Sequence, residues 1–217
     1  MEIEKPKTLT EQVYTAIVNA ILNDEIVPGT VYSELWFAEK LGISRTPVRE
    51  ALAQLKDEDM FIPSGARGLC VKPLSTEDAR SLFEIRKSLE GYSIYRLAKQ
   101  ISANDPDAHA VLKKMEDSMK NVSELDYVER DHLFHTASIL ATDSHQMIHA
   151  YEKILVRVEY YWKVTNLNPE NRRRSWIQHE DILTAIRSGD ASAAFEAMLY
   201  HLDCGFENVC TMLDSHQ

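Results

Sequence analysis

Several protein classes are ruled out by what this sequence does not contain. Its three cysteines, Cys70, Cys204 and Cys210, are odd in number and fit no metal or redox spacing, so reduced thiols are expected rather than a disulfide scaffold. With only 7 glycines and 7 prolines among 217 residues, the chain favours long regular elements over many turns. No apolar stretch approaches the roughly 18 residues needed to span a bilayer. The opening MEIEKPKTLTEQ also has no apolar signal core, so a cytoplasmic protein with no membrane partner is expected. Positive charge is scarce too: 24 Lys and Arg stand against 34 Asp and Glu, a formal net charge of -10. Such acidity argues against a general polyanion binder, but it leaves room for nucleic acid at one small surface.

What is present is ordinary for a soluble globular chain, with 44% hydrophobic and 27% charged residues. The length suits one large domain, or a small one plus a medium one. Two regions differ in texture. Residues 1–72 hold short elements punctuated by Gly and Pro, residues 73–76 within "KPLST" read as a joint, and residues 77–217 are almost wholly helical in pattern.

In the first region Thr8 and Glu11 form a capping box, and Leu9, Val13, Ile17 and Ile21 make the stripe of an amphipathic helix. "VPG" at 27–29 turns the chain. Ser33 is placed to cap a second helix with Leu35, Ala38 and Leu41 on its apolar face, and Gly42 ends it. Ser44 or Thr46 caps a third, with Pro47 in its first turn and Val48, Leu52 and Leu55 turned inward. "FIPSGARGLCV" at 61–71 reads as two short strands around a glycine-containing turn. Three helices and a hairpin make a winged helix-turn-helix. In the second region, Ser75 with Asp78, Asp105-Pro106, Ser123 with Asp126, Ser144, Pro169 and Gly189-Asp190 mark the starts of six helices. The fold class expected is therefore mainly α, a winged helix-turn-helix followed by an antiparallel six-helix bundle.

"LGISRTPVREAL" at 41–52 carries the chemistry of the first region. A recognition helix needs long donors pointing forward in its first turns as it enters a major groove. Arg45 and Arg49 lie four residues apart and share a face, Ser44 and Thr46 add short hydroxyl donors, and Arg67-Gly68 sets a cation at a thin hairpin tip suited to a minor groove. The expected partner is double-stranded operator DNA. Even so, residues 1–72 contain 8 Lys and Arg against 11 Asp and Glu, so affinity must rest on few contacts, which a homodimer would double.

A second site follows from spacing in the bundle. "RDHLFH" puts Asp131 and His135 on one helical face, while His179 and His201 lie at matching distances on either side of the Gly189-Asp190 turn, so antiparallel helices bring them level. One carboxylate and three imidazoles suit a divalent metal, Zn²⁺ first, with Ni, Mn or Fe as alternatives. His132, His145 and His149 form a rival set. "RRR" at 172–174 reads as a solvated face, and Tyr160, Tyr161 and Trp162 are candidates to line a pocket. Arg157 is a candidate partner for the carboxylate of a small organic acid effector.

"VYTAIVNAILNDEIVPGT", "LGISRTPVREALAQL" and "GARGLCV" closely resemble the DNA-binding domain of the GntR-family bacterial transcription regulators. The resemblance implies operator contacts by Arg45, Thr46 and Arg49 and a groove contact at Arg67-Gly68. Relatives often place a basic residue where this chain has Leu35-Trp36. "EIRKSLEGYSIYRLA", "DHLFHTASIL", "QHEDILTAIRSGDASAA" and "MLYHL" resemble the FCD ligand-binding domain, many members of which bind a divalent metal at the positions of Asp131, His135, His179 and His201. That resemblance makes Arg86 the first choice for an effector carboxylate, and six helices point to the VanR-like branch. It departs at His145, where relatives commonly have Asn. The function expected is a dimeric, effector-responsive transcription regulator, a repressor more than an activator, and not an enzyme. Two rivals remain, a regulator that senses the metal itself and a metal-dependent hydrolase joined to a DNA-binding domain.

Overall fold

In the computed structural model the described residues are 7–65, 68–120, 127–165 and 168–215, and they fall into two compact units, Met1–Pro73 and Leu74–Gln217. In the first unit α1 (Leu9–Leu22), α2 (Glu34–Leu41) and α3 (Arg45–Asp57) are joined by a three-stranded antiparallel sheet of β1 (Val31–Tyr32), β2 (Phe61–Ser64) and β3 (Gly68–Val71), in the order β1-β3-β2. The Thr8–Glu11 capping box forms in both directions, with Thr8 N–H donating to Glu11 at 2.6 Å and Glu11 N–H to Thr8 Oγ1 at 3.2 Å. Gly42 closes α2 in the left-handed region (φ 67°), which a residue without Cβ adopts at little cost.

Two faces of the small domain differ from expectation. Leu9 opens α1 and is exposed, so the buried stripe is Val13, Ile17, Val18 and Ile21. On α2, Leu35 and Leu41 are exposed while Phe37 and Ala38 are buried. At 100° per residue Leu35 sits about 160° around the helix from Phe37. The aromatic side chain wins the inward position because Tyr32, Trp36 and Phe61 enclose it, with ring centroids 5.8, 5.0 and 6.2 Å away. Strand β1 adds to the two strands expected from sequence; Val31 and Tyr32 pair with Cys70 and Leu69 of β3. Opposite Ser64 in the β2–β3 register, Gly68 leaves no room for a side chain, since a Cβ there would meet Val31 Cγ1 at 2.2 Å and the Ser64 carbonyl at 2.7 Å.

The second unit holds six helices among its described residues: α4 (Thr76–Ser102), α5 (Pro106–Ser118), α6 (Tyr127–Leu140), α7 (His145–Thr165), α8 (Pro169–Ser188) and α9 (Ala191–Ser215). Ser75, Asp105 and Asn168 cap α4, α5 and α8 through their side chains, Pro106 and Pro169 follow directly, and Gly189 (φ 71°) ends α8. The expected cap of α6, Ser123 with Asp126, lies outside the described residues. The core runs along α4, α8 and α9 and includes Leu82, Ile94, Leu97, Phe134, Ile182, Leu183, Met198 and Leu202. Into it the fold admits an unusual set of polar groups, all buried: Arg86, Glu90, Asp131, His135, His179 and His201. Burying so many titratable groups in one place is costly unless each is paired or bound, so this cluster marks the site.

Candidate metal centre and nucleic-acid interface

Three imidazoles meet edge to edge in the bundle. His135 from α6, His179 from α8 and His201 from α9 bring their Nε2 atoms to 3.3 Å (His179–His135), 3.3 Å (His179–His201) and 3.2 Å (His201–His135). Asp131, one turn before His135, flanks this three-histidine cluster on the His135–His179 side, with Oδ1 3.6 Å from His179 Nε2 and Oδ2 3.9 Å from His135 Nε2. The remaining ring nitrogens explain the arrangement. His135 Nδ1 donates to the Glu90 carboxylate at 2.5 Å, and His201 Nδ1 donates to Gln178 Oε1 at 2.9 Å. With their protons on Nδ1, both rings turn a bare lone pair toward the other, so the contact between them lacks a hydrogen. A single proton on His179 can satisfy only one of its two contacts. A cation at the centre removes the conflict. Ligand nitrogens about 2.0–2.1 Å from a tetrahedral Zn²⁺ lie about 3.3–3.4 Å apart, which is the spacing found here.

Electrostatics favour the same use. Burial holds His179 and His201 well below the ordinary histidine range, with His201 and His135 adding to the effect on His179, so both stay neutral, as metal ligands must be. Burial likewise raises the Asp131 carboxyl, against the pull of His135 and Arg86, the signature of an acid in want of more positive charge. For Glu90 burial works upward as well, but Arg86 and His135 outweigh it and hold its carboxyl at about 2. Phe134 stacks on His179 with centroids 4.0 Å apart, fixing that ring where Nδ1 finds no partner.

Beside the imidazoles lies a narrow cavity of about 40 Å³ between α4, α6, α7, α8 and α9, lined among others by Arg86, Asp131, Tyr161, Trp162, Ser175 and His201. Arg86 crosses the core to reach it. Its Nε donates to Glu90 at 2.7 Å, its guanidinium lies 5.1 Å from the Trp162 ring centre, and its Nη2 is buried without a hydrogen-bond partner. Tyr160, next along α7, is buried and is not among the residues that line this cavity. Arg157 does not line this cavity and ion-pairs with Asp78 at 3.6 Å. Of the 172–174 run, Arg173 and Arg174 are exposed as a solvated face would be, and Arg174 also borders the cavity along with Asn171, Ser175 and Gln178, all on one face of α8. The rival set does not converge: His132 faces Glu159, whereas His145 and His149 are exposed on α7. Two residues escaped sequence reading, Glu90 and Gln178. The first stands four residues after Arg86 and the second beside His179, spacings that become informative only once the helices are packed.

In the first unit the N-terminal end of α3 is open to solvent, with Ser44, Arg45, Thr46 and Arg49 exposed and Pro47, Val48, Ala51, Leu52 and Leu55 buried beneath them. Ser44 occupies the N-cap by its backbone, and its hydroxyl makes no cap hydrogen bond. Both arginines lean on one carboxylate oxygen of Glu34, which lies 3.1 Å from Arg45 Nη2 and 3.4 Å from Arg49 Nε. Gly68 starts β3, and Arg67 lies outside the described residues.

Residues 81–203 match the family model described as the FCD domain, and residues 9–71 match that of the bacterial regulatory proteins of the gntR family. A curated relative, the Nta operon transcriptional regulator of Aminobacter aminovorans, is 29% identical over 86% of this chain and 87% of its own. Among solved structures, E. coli McbR/YncC is similar with a TM-score of 0.71 at 19% identity, covering 98% of this chain and all of that one. The Zn²⁺-bound FCD domain of TM0439 is similar with a TM-score of 0.52 at 22% identity, over 65% of this chain and 97% of that one.

Proposed function

Since the chain belongs to the FCD family and carries a gntR-family domain ahead of it, which makes it a DNA-binding transcriptional regulator, we propose that it is a repressor whose hold on its operator is set by a small carboxylate bound beside a metal. In this reading Asp131, His135, His179 and His201 hold a divalent ion, with Zn²⁺ the first choice. The ion supplies a Lewis-acidic anchor for one end of the effector. Arg86 supplies the other contact, a guanidinium whose Nε is already fixed on Glu90 while its buried Nη2 is left without a hydrogen-bond partner. Tyr161 and Trp162 give the effector an apolar wall and restrict water. At 10–15 Å³ or more for each water, a 40 Å³ space suits an acid of few heavy atoms unless lining side chains move aside.

On the nucleic acid, two copies of the first unit in a homodimer present Ser44, Arg45, Thr46 and Arg49 to two half-sites, with the Arg67-Gly68 tip at the neighbouring groove. Repression is the simpler outcome, because occupying a duplex excludes other proteins, whereas activation demands a further surface. The six described helices of the second unit support the VanR-like branch. No described helix is long and apolar enough to cross a membrane.

The observation that carries this reading is the unpartnered, buried Nη2 of Arg86, a residue that lines one cavity with Asp131 and His201 of the metal-competent set. It favours an organic effector over the metal as the signal, since a metal sensor needs no adjoining cavity. The test is a thermal-shift screen of short-chain carboxylates on metal-loaded and metal-stripped protein. Hits should stabilise only the loaded form, lose effect in Arg86→Lys, and release a duplex selected from a random pool. Release of that duplex by buffered metal alone would replace this reading with the metal sensor.

A further inference from the structure

Glu34 stands at the first position of α2, where a carboxylate is favoured by the helix N-terminus and by the Ser33 cap. Its Oε2 takes both Arg45 and Arg49 of α3, although the three side chains remain 30%, 56% and 65% exposed. Exposed ion pairs of this kind add little to stability. What these two ion pairs change is the freedom of two guanidinium groups at the end of the helix that faces solvent.

We infer that Glu34 is a specificity-determining positioning residue that holds the two arginines as one oriented unit and trades duplex affinity for base discrimination. The inference rests on the reading of Arg45 and Arg49 as duplex-reading groups. Arg49 is gripped through Nε, which leaves its terminal Nη1 and Nη2 as an end-on fork, the geometry that meets the O6 and N7 acceptors of a guanine. Holding that fork in place spares the rotamer entropy a loose arginine would lose on binding. A phosphate also takes a guanidinium fork, but the Glu34 carboxylate beside the guanidinium groups repels it. The effect matters more in a chain of net charge -10 that must bind DNA through few cations, because there a wrong interaction with the backbone competes closely with the right one.

The experiment uses the full chain loaded with Zn²⁺ and a pool of 30-bp duplexes with a randomised centre, comparing wild type with Glu34→Gln, Glu34→Ala and Arg49→Ala. Each protein's enriched motif is read, and its affinity is measured for the wild-type motif and for a scrambled duplex across a salt series. Both Glu34 variants are expected to bind scrambled DNA more tightly. Their log–log salt dependence should steepen by about 0.9 for each further phosphate that the freed arginines neutralise. The ratio of motif to scrambled affinity should fall by about fivefold or more, fivefold being the lower bound for loss of one oriented base interaction. An unchanged ratio in Glu34→Gln would overturn the inference. So would equal weakening on both duplexes with a lower melting temperature, since that is what a merely structural residue produces. Arg49→Ala separates the two levels. If it selects the same motif as wild type, the duplex-reading assignment itself fails. If it loses the motif while Glu34→Gln keeps the wild-type ratio, only the role given to Glu34 fails.

Discussion

The Glu90 carboxylate lies 2.5 Å from Nδ1 of His135 and 2.7 Å from Nε of Arg86, so one buried acid orients both a ligand of the metal centre and the cation of the adjoining cavity. Carboxylates behind a ligating histidine fix its tautomer and raise its basicity. Glu90→Gln should therefore weaken Zn²⁺ binding by about 10–100-fold, read by competition with a chromophoric chelator. Unchanged affinity would mean that Glu90 serves Arg86 alone. Glu90→Ala should be worse, because it leaves Arg86 buried with its strongest partner removed, at a cost of about 3–5 kcal/mol in folding stability.

Removal of the metal should loosen the second unit and spare the first. A ligand present at a hundred times its Kd stabilises by about 2.7 kcal/mol. Chelation should lower the melting temperature accordingly, with hydrogen exchange rising on α6, α8 and α9 while α1 to α3 keep their protection. Faster exchange spread evenly over both units would count against a local metal centre.

Stripped of metal, the protein should lose stability in mild acid. His179 and His201 have folded pKa values well below the histidine range because of burial, whereas in the unfolded chain they titrate near the ordinary value of 6.5. Below that pH the unfolded state binds protons the folded state refuses, so stability is full above about 6.5 and falls as pH drops. The slope is up to about 1.4 kcal/mol per pH unit for each histidine. Urea midpoints between about pH 7.5 and 5.0 give the test, and saturating metal should raise the whole curve without removing its slope, because metal-bound histidines refuse protons as well.

The two sites should separate by mutation. Arg49→Ala should reduce duplex affinity by about 10–100-fold per half-site while leaving metal content unchanged. His179→Ala should bring the metal content, read by elemental analysis, close to zero and leave α3 intact by circular dichroism. A variant that alters both properties would contradict the division of roles between the units.

Much of this protein is written in local chemistry. The capping box at Thr8 and Glu11, the caps at Ser33, Ser75, Asp105 and Asn168, and the left-handed glycines 42 and 189 depend on neighbours within four residues, so they can be read directly. The placement of His179 level with His201 is also legible, because a tight turn and a constant helical rise leave only one register for two antiparallel helices. Tertiary packing decided the rest. Phe37 displaced Leu35 and Leu41 from the interior because aromatic partners close on it from β1, just ahead of α2, and from β2, well downstream in sequence. The ties from Glu90 to His135 and from Glu34 to Arg45 and Arg49 join different helices, and Arg157 was taken by Asp78 from another element. Helical periodicity says which residues share a face, but only the packed helices say which charge that face meets, and at both sites that charge sets what the side chains can do.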